Sequence, residues 1–140
     1  MDWTADKVLE VVASLPVIED EDKWREAYVV PVEEFGLVLN YTPTITDPST
    51  WAFDLVSLVL VDISKITSTW QGEGIRLDAV AWYLKNRTGL FDPEGWFGND
   101  YPVLIARPDG TFTVRDGNHR VIADKLNGIR VILAHVVKGK

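Results

Sequence analysis

The stretch Asp116-Gly117-Asn118-His119-Arg120 constrains the fold of this chain more than any other. Before it, Thr111-Phe112-Thr113-Val114 alternates polar and apolar side chains, as a half-buried strand does. After it, residues 121–127 read as a short helix, with Ile122 and Leu126 four apart on one face and Gly128 as its C-terminal stop. The five residues between must therefore make a strand-to-helix turn. Gly117 lets the backbone bend tightly and lets a ligand approach closely. Asn118 reads as the helix cap. The first helical turn leaves backbone N–H groups unpaired, and those favour anions. Asp116, His119 and Arg120 bring groups that hold or move protons and charge to the same spot. That is the composition of a phosphate-handling site.

Elsewhere the order is helical first and mixed later. Thr4 caps a helix over residues 5–14, with Val8, Val12 and Leu15 along one stripe and Pro16 ending it. Residues 20–28 read as a second helix, acidic in its first turn, with Trp24 and Tyr28 four apart. Residues 33–39 fit no single pattern. Residues 41–50 hold two prolines and five Thr or Ser and read as a loop. The near-continuous apolar run 55–61 predicts a strand buried on both faces. Leu77, Val80, Ala81 and Leu84 follow helical spacing. Residues 91–100 carry Pro93, Gly95 and Gly98 and read as a loop with aromatic anchors. The division that follows is a helical N-terminal extension over 1–54, packed on an α/β (α+β) domain over 55–140.

The 140 residues, 46% hydrophobic and 25% charged, suit one globular unit with a real core. The longest apolar run, 53–63, is too short for a membrane span and is interrupted by Asp54 and Asp62. The acidic N-terminus has no signal-peptide pattern, and there are no cysteines for disulfides or thiol chemistry. A cytoplasmic location is the expectation, with no membrane partner. Fourteen Lys and Arg oppose 21 Asp and Glu, a formal net charge of −7. Duplex DNA is therefore not an expected partner, since neutralising its phosphates takes a basic face. The local basic group Arg115, Arg120, Lys125 and Arg130 suits one phosphorylated ligand better.

Residues 101–106, the turn Arg107-Pro108-Asp109-Gly110, residues 111–123, and the run from Gly128-Ile129 to Val137 resemble the ParB/sulfiredoxin superfamily. Its members carry a strand, an Asp-Gly turn, a second strand, a glycine-led helix start and a closing strand. Gly117, His119, Arg120, Ala123, Gly128 and Ile129 stand at the places where that pattern has its glycine, histidine or arginine, arginine, alanine, glycine and aliphatic residue. Residues 58–66 are similar to the family's opening strand and 77–84 to its following helix. The resemblance implies a small mixed sheet with helices. It also removes options. Sulfiredoxin attacks with a motif cysteine, and position 118 is Asn in a chain with no cysteine. Chromosome-partitioning members add a helix-turn-helix region after this domain, and the sequence stops at Lys140, so operator binding of that kind is not expected. The superfamily's free serine kinases look most similar at the site. They use an Asp and a His three apart around an Asp-Gly turn, with a Glu from an earlier loop. Asp116 and His119 have that spacing, and Glu73 in Gln71-Gly72-Glu73-Gly74 matches the Glu.

Each candidate has a plain alternative. His119 fits a hydrogen bond to a neighbouring loop as well as acid–base work. Arg120 fits an ion pair with Asp116 or Glu73 as well as a fork on phosphate oxygens. Asp116 fits an ordinary turn as well as a general base or metal ligand. Trp70, Trp82 and Trp96 fit the core or a lid better than a base-stacking platform. The functional expectation is a site formed by Gly117, Asn118, His119 and Arg120 that binds a nucleotide (ATP, ADP or CTP, with Mg²⁺) or a phosphorylated small molecule. Asp116, His119 and Glu73 would be the catalytic groups for phosphoryl transfer or phosphate-ester hydrolysis. The competing expectation is a catalytically degenerate acidic interaction protein, an inhibitor or DNA-mimicking decoy that binds a protein partner.

Overall fold

Alternation, capping and glycine placement account for most of the elements in the computed structural model, which describes residues 3–15, 29–40, 56–86 and 101–138. Helix α1 spans Ala5–Ser14, and Thr4 caps it by accepting from the Lys7 N–H at 3.1 Å. Strand β1 (Val29–Val30), a 3₁₀ turn (Val32–Phe35) and strand β2 (Val38–Leu39) follow. Strand β3 (Val56–Asp62) runs through a second 3₁₀ turn into β4 (Ile66–Thr69). Then come β5 (Ile75–Arg76), α2 (Leu77–Asn86), β6 (Val103–Ala106), β7 (Phe112–Asp116), α3 (Asn118–Leu126) and β8 (Val131–Lys138). The helix expected over 20–28, the loops expected over 41–50 and 91–100, and Trp96 lie outside the described residues.

The result is a mixed α/β fold. Six strands form one sheet in the order β2-β4-β7-β6-β8-β3, and β1 pairs with β5 in a small second sheet. The expected strands around the motif share the main sheet. β6 and β7 pair antiparallel across the Pro108-Asp109-Gly110 turn, and β8 lies parallel to β6, with Val103 opposite His135. β4 and β7 run parallel. Successive residues of a strand face opposite sides, so the sheet has two apolar faces. On one, Val61, Leu104, Val114, Ile132, Ala134 and Val136 pack with Val80 and Ala81 of α2 and Val121 and Ile122 of α3. On the other, Ile105 and Val137 are buried with Trp70 and Val103 against them.

Three expectations are corrected. Of the run expected over 55–61, residues 58–60 are not buried on both faces. They lie in β3 at the sheet's edge, with Leu58, Val59 and Leu60 all exposed. Continuous apolarity reports a strand but not its place in a sheet. Helix α3 starts three residues earlier than expected, at Asn118, so Asn118 is its first residue and Gly117 takes the cap position. The N-terminal segment is not only helical. β2 joins the main sheet, and Val8, Val32, Phe35 and Leu37 belong to the same core as the strands and helices after residue 55.

Candidate functional site

The motif sits where the carboxyl ends of the parallel strands β4 and β7 lie side by side. In sheets with parallel strands that end is where ligands settle, because loops there diverge and leave a crevice. β4 ends in the loop 70–74, and β7 ends in Asp116 and the turn to α3. The Trp70 N–H donates to Val114 O at 2.8 Å, which holds the two ends together. β6 begins at the same end, preceded by Tyr101 and Pro102.

Gly117 has φ +103° and ψ +27°, a conformation that L side chains rarely adopt. A Cβ there would also stand 3.0 Å from Pro102 Cα. Both observations require glycine at this turn, and both leave the helix cap without a side chain. The N–H of Asn118 is met from outside the helix, donating to Gln71 Oε1 at 3.2 Å. The Gln71 amide also approaches Asp116, with Nε2 at 3.5 Å from Oδ1. Asn118 itself is buried. Its Oδ1 accepts from Thr69 Oγ1 at 2.7 Å, while Thr69 Oγ1 accepts from the Gln71 N–H at 3.0 Å. One hydroxyl at the end of β4 thus fixes both the Gln71 loop and the first residue of α3.

The four charged or protonatable candidates separate. Asp116 is exposed at the end of β7, within reach of solvent and of any ligand above the turn. His119 is half-buried, and its Nε2 accepts from the Arg76 N–H at 3.0 Å, tying α3 to β5. Burial, with the Arg76 charge second, pushes its pKa down to about 4. The ring is therefore neutral at pH 7, with its proton on Nδ1 because Nε2 is the acceptor. It cannot offer an imidazolium proton there. Arg120 is 2% exposed, and its guanidinium lies 5.2 Å from the centroid of the Tyr101 ring. The Tyr101 ring in turn meets His135 edge-on at 6.1 Å. Arg120 is thus held in a cation–π contact rather than presented as an open fork. Glu73 is exposed and makes no hydrogen bond or ion pair among the described residues. It lines a hollow of about 330 Å³ with Glu33, Leu39 and the β1 segment. The loop that carries it touches the motif turn through Gln71.

Thr69, Gln71, Tyr101 and Pro102 shape the site without standing out in the sequence. Gln71 and Tyr101 lie in recognisable segments, but nothing in a single sequence says that a loop 45 residues upstream (Gln71 to Asp116) caps the helix. Parallel pairing of β4 with β7 creates that proximity. Among the described residues there is no group of three or more His, Asp or Glu placed to hold a metal ion, and no helix is long and apolar enough to cross a membrane. Comparison with protein-family models, curated proteins and solved structures finds no match to this chain.

Proposed function

We propose that this is a ParB/sulfiredoxin-like domain of cytoplasmic setting that binds a nucleotide or another phosphorylated small molecule at the turn from Asp116 to Arg120, and catalyses phosphoryl transfer or phosphate-ester hydrolysis there. One observation carries the reading. An exposed carboxylate, Asp116, immediately precedes a helix N-terminus whose cap is a left-handed glycine without a side chain. Both lie at the carboxyl ends of a parallel strand pair. A phosphate seated there would displace Gln71 Oε1 from the Asn118 N–H and accept from the first turn of α3, with the helix dipole favouring its charge.

Asp116 takes the proton from the acceptor hydroxyl or from water. Its lone exposed carboxylate also suits Mg²⁺ carried in on nucleotide phosphates, since that ion is commonly held by one or two carboxylates plus substrate oxygens. His119 acts as a neutral donor through Nδ1–H or positions α3 against β5. Arg120 positions the helix beneath Tyr101. Glu73 is the third candidate, one loop away.

The test is calorimetric titration and turnover of ATP, ADP and CTP with Mg²⁺, beside a thermal melt for each variant. Asp116→Asn is expected to lower turnover by roughly 100-fold, the scale of losing an acid–base group. Its melting temperature should not change, because the residue is exposed. Glu73→Gln tests the third assignment in the same assay. A folded wild type that neither binds nor turns over any of the three would replace this reading with that of a degenerate acidic interaction protein.

A further inference from the structure

The outer edge of β3 carries an inference independent of the phosphate site. Leu58, Val59 and Leu60 are consecutive and exposed at 46, 39 and 59%. Consecutive exposure on a strand means that both its faces are open at that place. The patch continues inward on one face. Leu58 lies opposite His135, Leu60 opposite Leu133 and Asp62 opposite Val131, which is 40% exposed. Among the described residues β3 has a strand neighbour on one side only. Along its other side alternate N–H and C=O groups point outward, a template for another strand. The strand itself carries none of the local devices that blunt such edges: Val56–Asp62 contains no proline and no lysine, and it pairs with β8 without a bulge.

We propose that this edge is a self-association surface on which a second copy of this chain pairs antiparallel, centred on Val59. The strand is self-complementary in that register. Leu58 meets Leu60 of the second copy and Leu60 meets its Leu58, on one face, while Val59 meets Val59 on the other. The leucines of both copies then form one apolar strip from Leu133 to its counterpart. The only charge in the strand, Asp62, falls opposite Val56. The two aspartates stand six residues apart along the seam, roughly 20 Å at about 3.4 Å per residue, beyond the Debye length of about 8 Å at physiological salt. A register centred on Asp62 would place the two carboxylates face to face. The Val59 register therefore satisfies packing and charge together. It also has two-fold symmetry, so the assembly closes at a dimer instead of growing.

Sedimentation of the full chain from micromolar to millimolar concentration tests the proposal. Wild type is expected to pass from monomer to dimer. Leu60→Lys should abolish the dimer and leave the melting temperature of the dilute monomer unchanged, since the side chain is mostly exposed. The chain has no cysteine, so Val59→Cys introduces a single thiol that faces its own copy across the two-fold axis. Its Cβ atoms would lie about 4.5–5.5 Å apart, close enough to cross-link under oxidation with a small adjustment. Val38→Cys, on the opposite edge strand, should cross-link far more slowly. A wild type that stays monomeric throughout, or equal cross-linking at positions 38 and 59, overturns the proposal. A monomer whose outward β3 amides are protected from hydrogen exchange also overturns it and assigns the edge to a segment of the same chain.

Discussion

At the scale of single residues, His119 connects the motif to the stability of the fold. Its folded pKa of about 4 lies below the ordinary value of 6.5, with burial as the main cause and Arg76 as the second. Between those values the unfolded chain binds a proton that the folded chain refuses. Folding stability therefore rises with pH across this window. The contribution is complete above pH 6.5 and is lost as pH falls toward 4. Its size is up to about 3 kcal/mol, since each tenfold difference in proton affinity between the two states is worth about 1.4 kcal/mol. Asp78 works in the opposite sense, because burial raises its carboxyl despite Arg76 at 3.7 Å. Its protonated form is favoured in the fold, so its contribution fades as pH rises. A difference measurement isolates the histidine. His119→Gln keeps an acceptor for the Arg76 N–H but has no titrating ring. Denaturant unfolding at pH 4.5, 5.5 and 7 should show that the gap between wild type and variant widens with pH. A constant gap would mean that His119 is freely protonated in the folded state.

At the scale of elements, the strands around the motif were legible because each obeys a local rule. Alternation marked β7, the Asp-Gly turn marked its pairing with β6, and Gly128 marked the end of α3. What could not be read is the junction of β4 with α3, since it depends on two parallel strands 45 residues apart. Two polar contacts on these strands make a controlled comparison. Thr69 Oγ1 is fully buried and serves both Asn118 Oδ1 and the Gln71 N–H. Thr69→Val keeps the shape, removes both bonds and leaves the Asn118 amide oxygen without its 2.7 Å donor. Ser68 Oγ bonds Thr113 Oγ1 at 2.7 Å, but Thr113 Oγ1 also accepts from Arg107 Nε at 2.8 Å. Ser68→Ala therefore leaves Thr113 with a partner. Thr69→Val is expected to cost about 1–3 kcal/mol, the scale of a buried polar group left unsatisfied, and Ser68→Ala clearly less. Equal melts for the two variants would remove the special role given to the Thr69 junction.

At the scale of the whole molecule, the sequence suggested a helical extension laid on a domain beginning at residue 55. The core does not respect that line. Val8 on α1, Val32 and Phe35 on the 3₁₀ turn and Leu37 before β2 are each 6% exposed or less, in one cluster with Val80, Leu104 and Ile122. Trp3 stacks on Phe35 with centroids 5.8 Å apart and donates to Glu34. Lys125 of α3 reaches back to Phe35 O at 3.4 Å. Short strands such as β1 and β2, two residues each, carry too little pattern to be read from sequence, yet β2 forms one edge of the main sheet. Removing residues 1–54 would strip the four buried side chains from the core. At about 1.5–3 kcal/mol per buried side chain, the loss is on the order of 10 kcal/mol, comparable with the whole stability of a small domain, about 5–15 kcal/mol. A fragment of residues 55–140 is therefore expected to lack a cooperative thermal transition and a near-ultraviolet dichroism signal, while the full chain shows both. Adding the separate 1–54 peptide should restore the signal at high concentration if the two parts share one core. A fragment that melts cooperatively near the full-length temperature would instead establish residues 55–140 as an autonomous domain, with the N-terminal segment only resting on it.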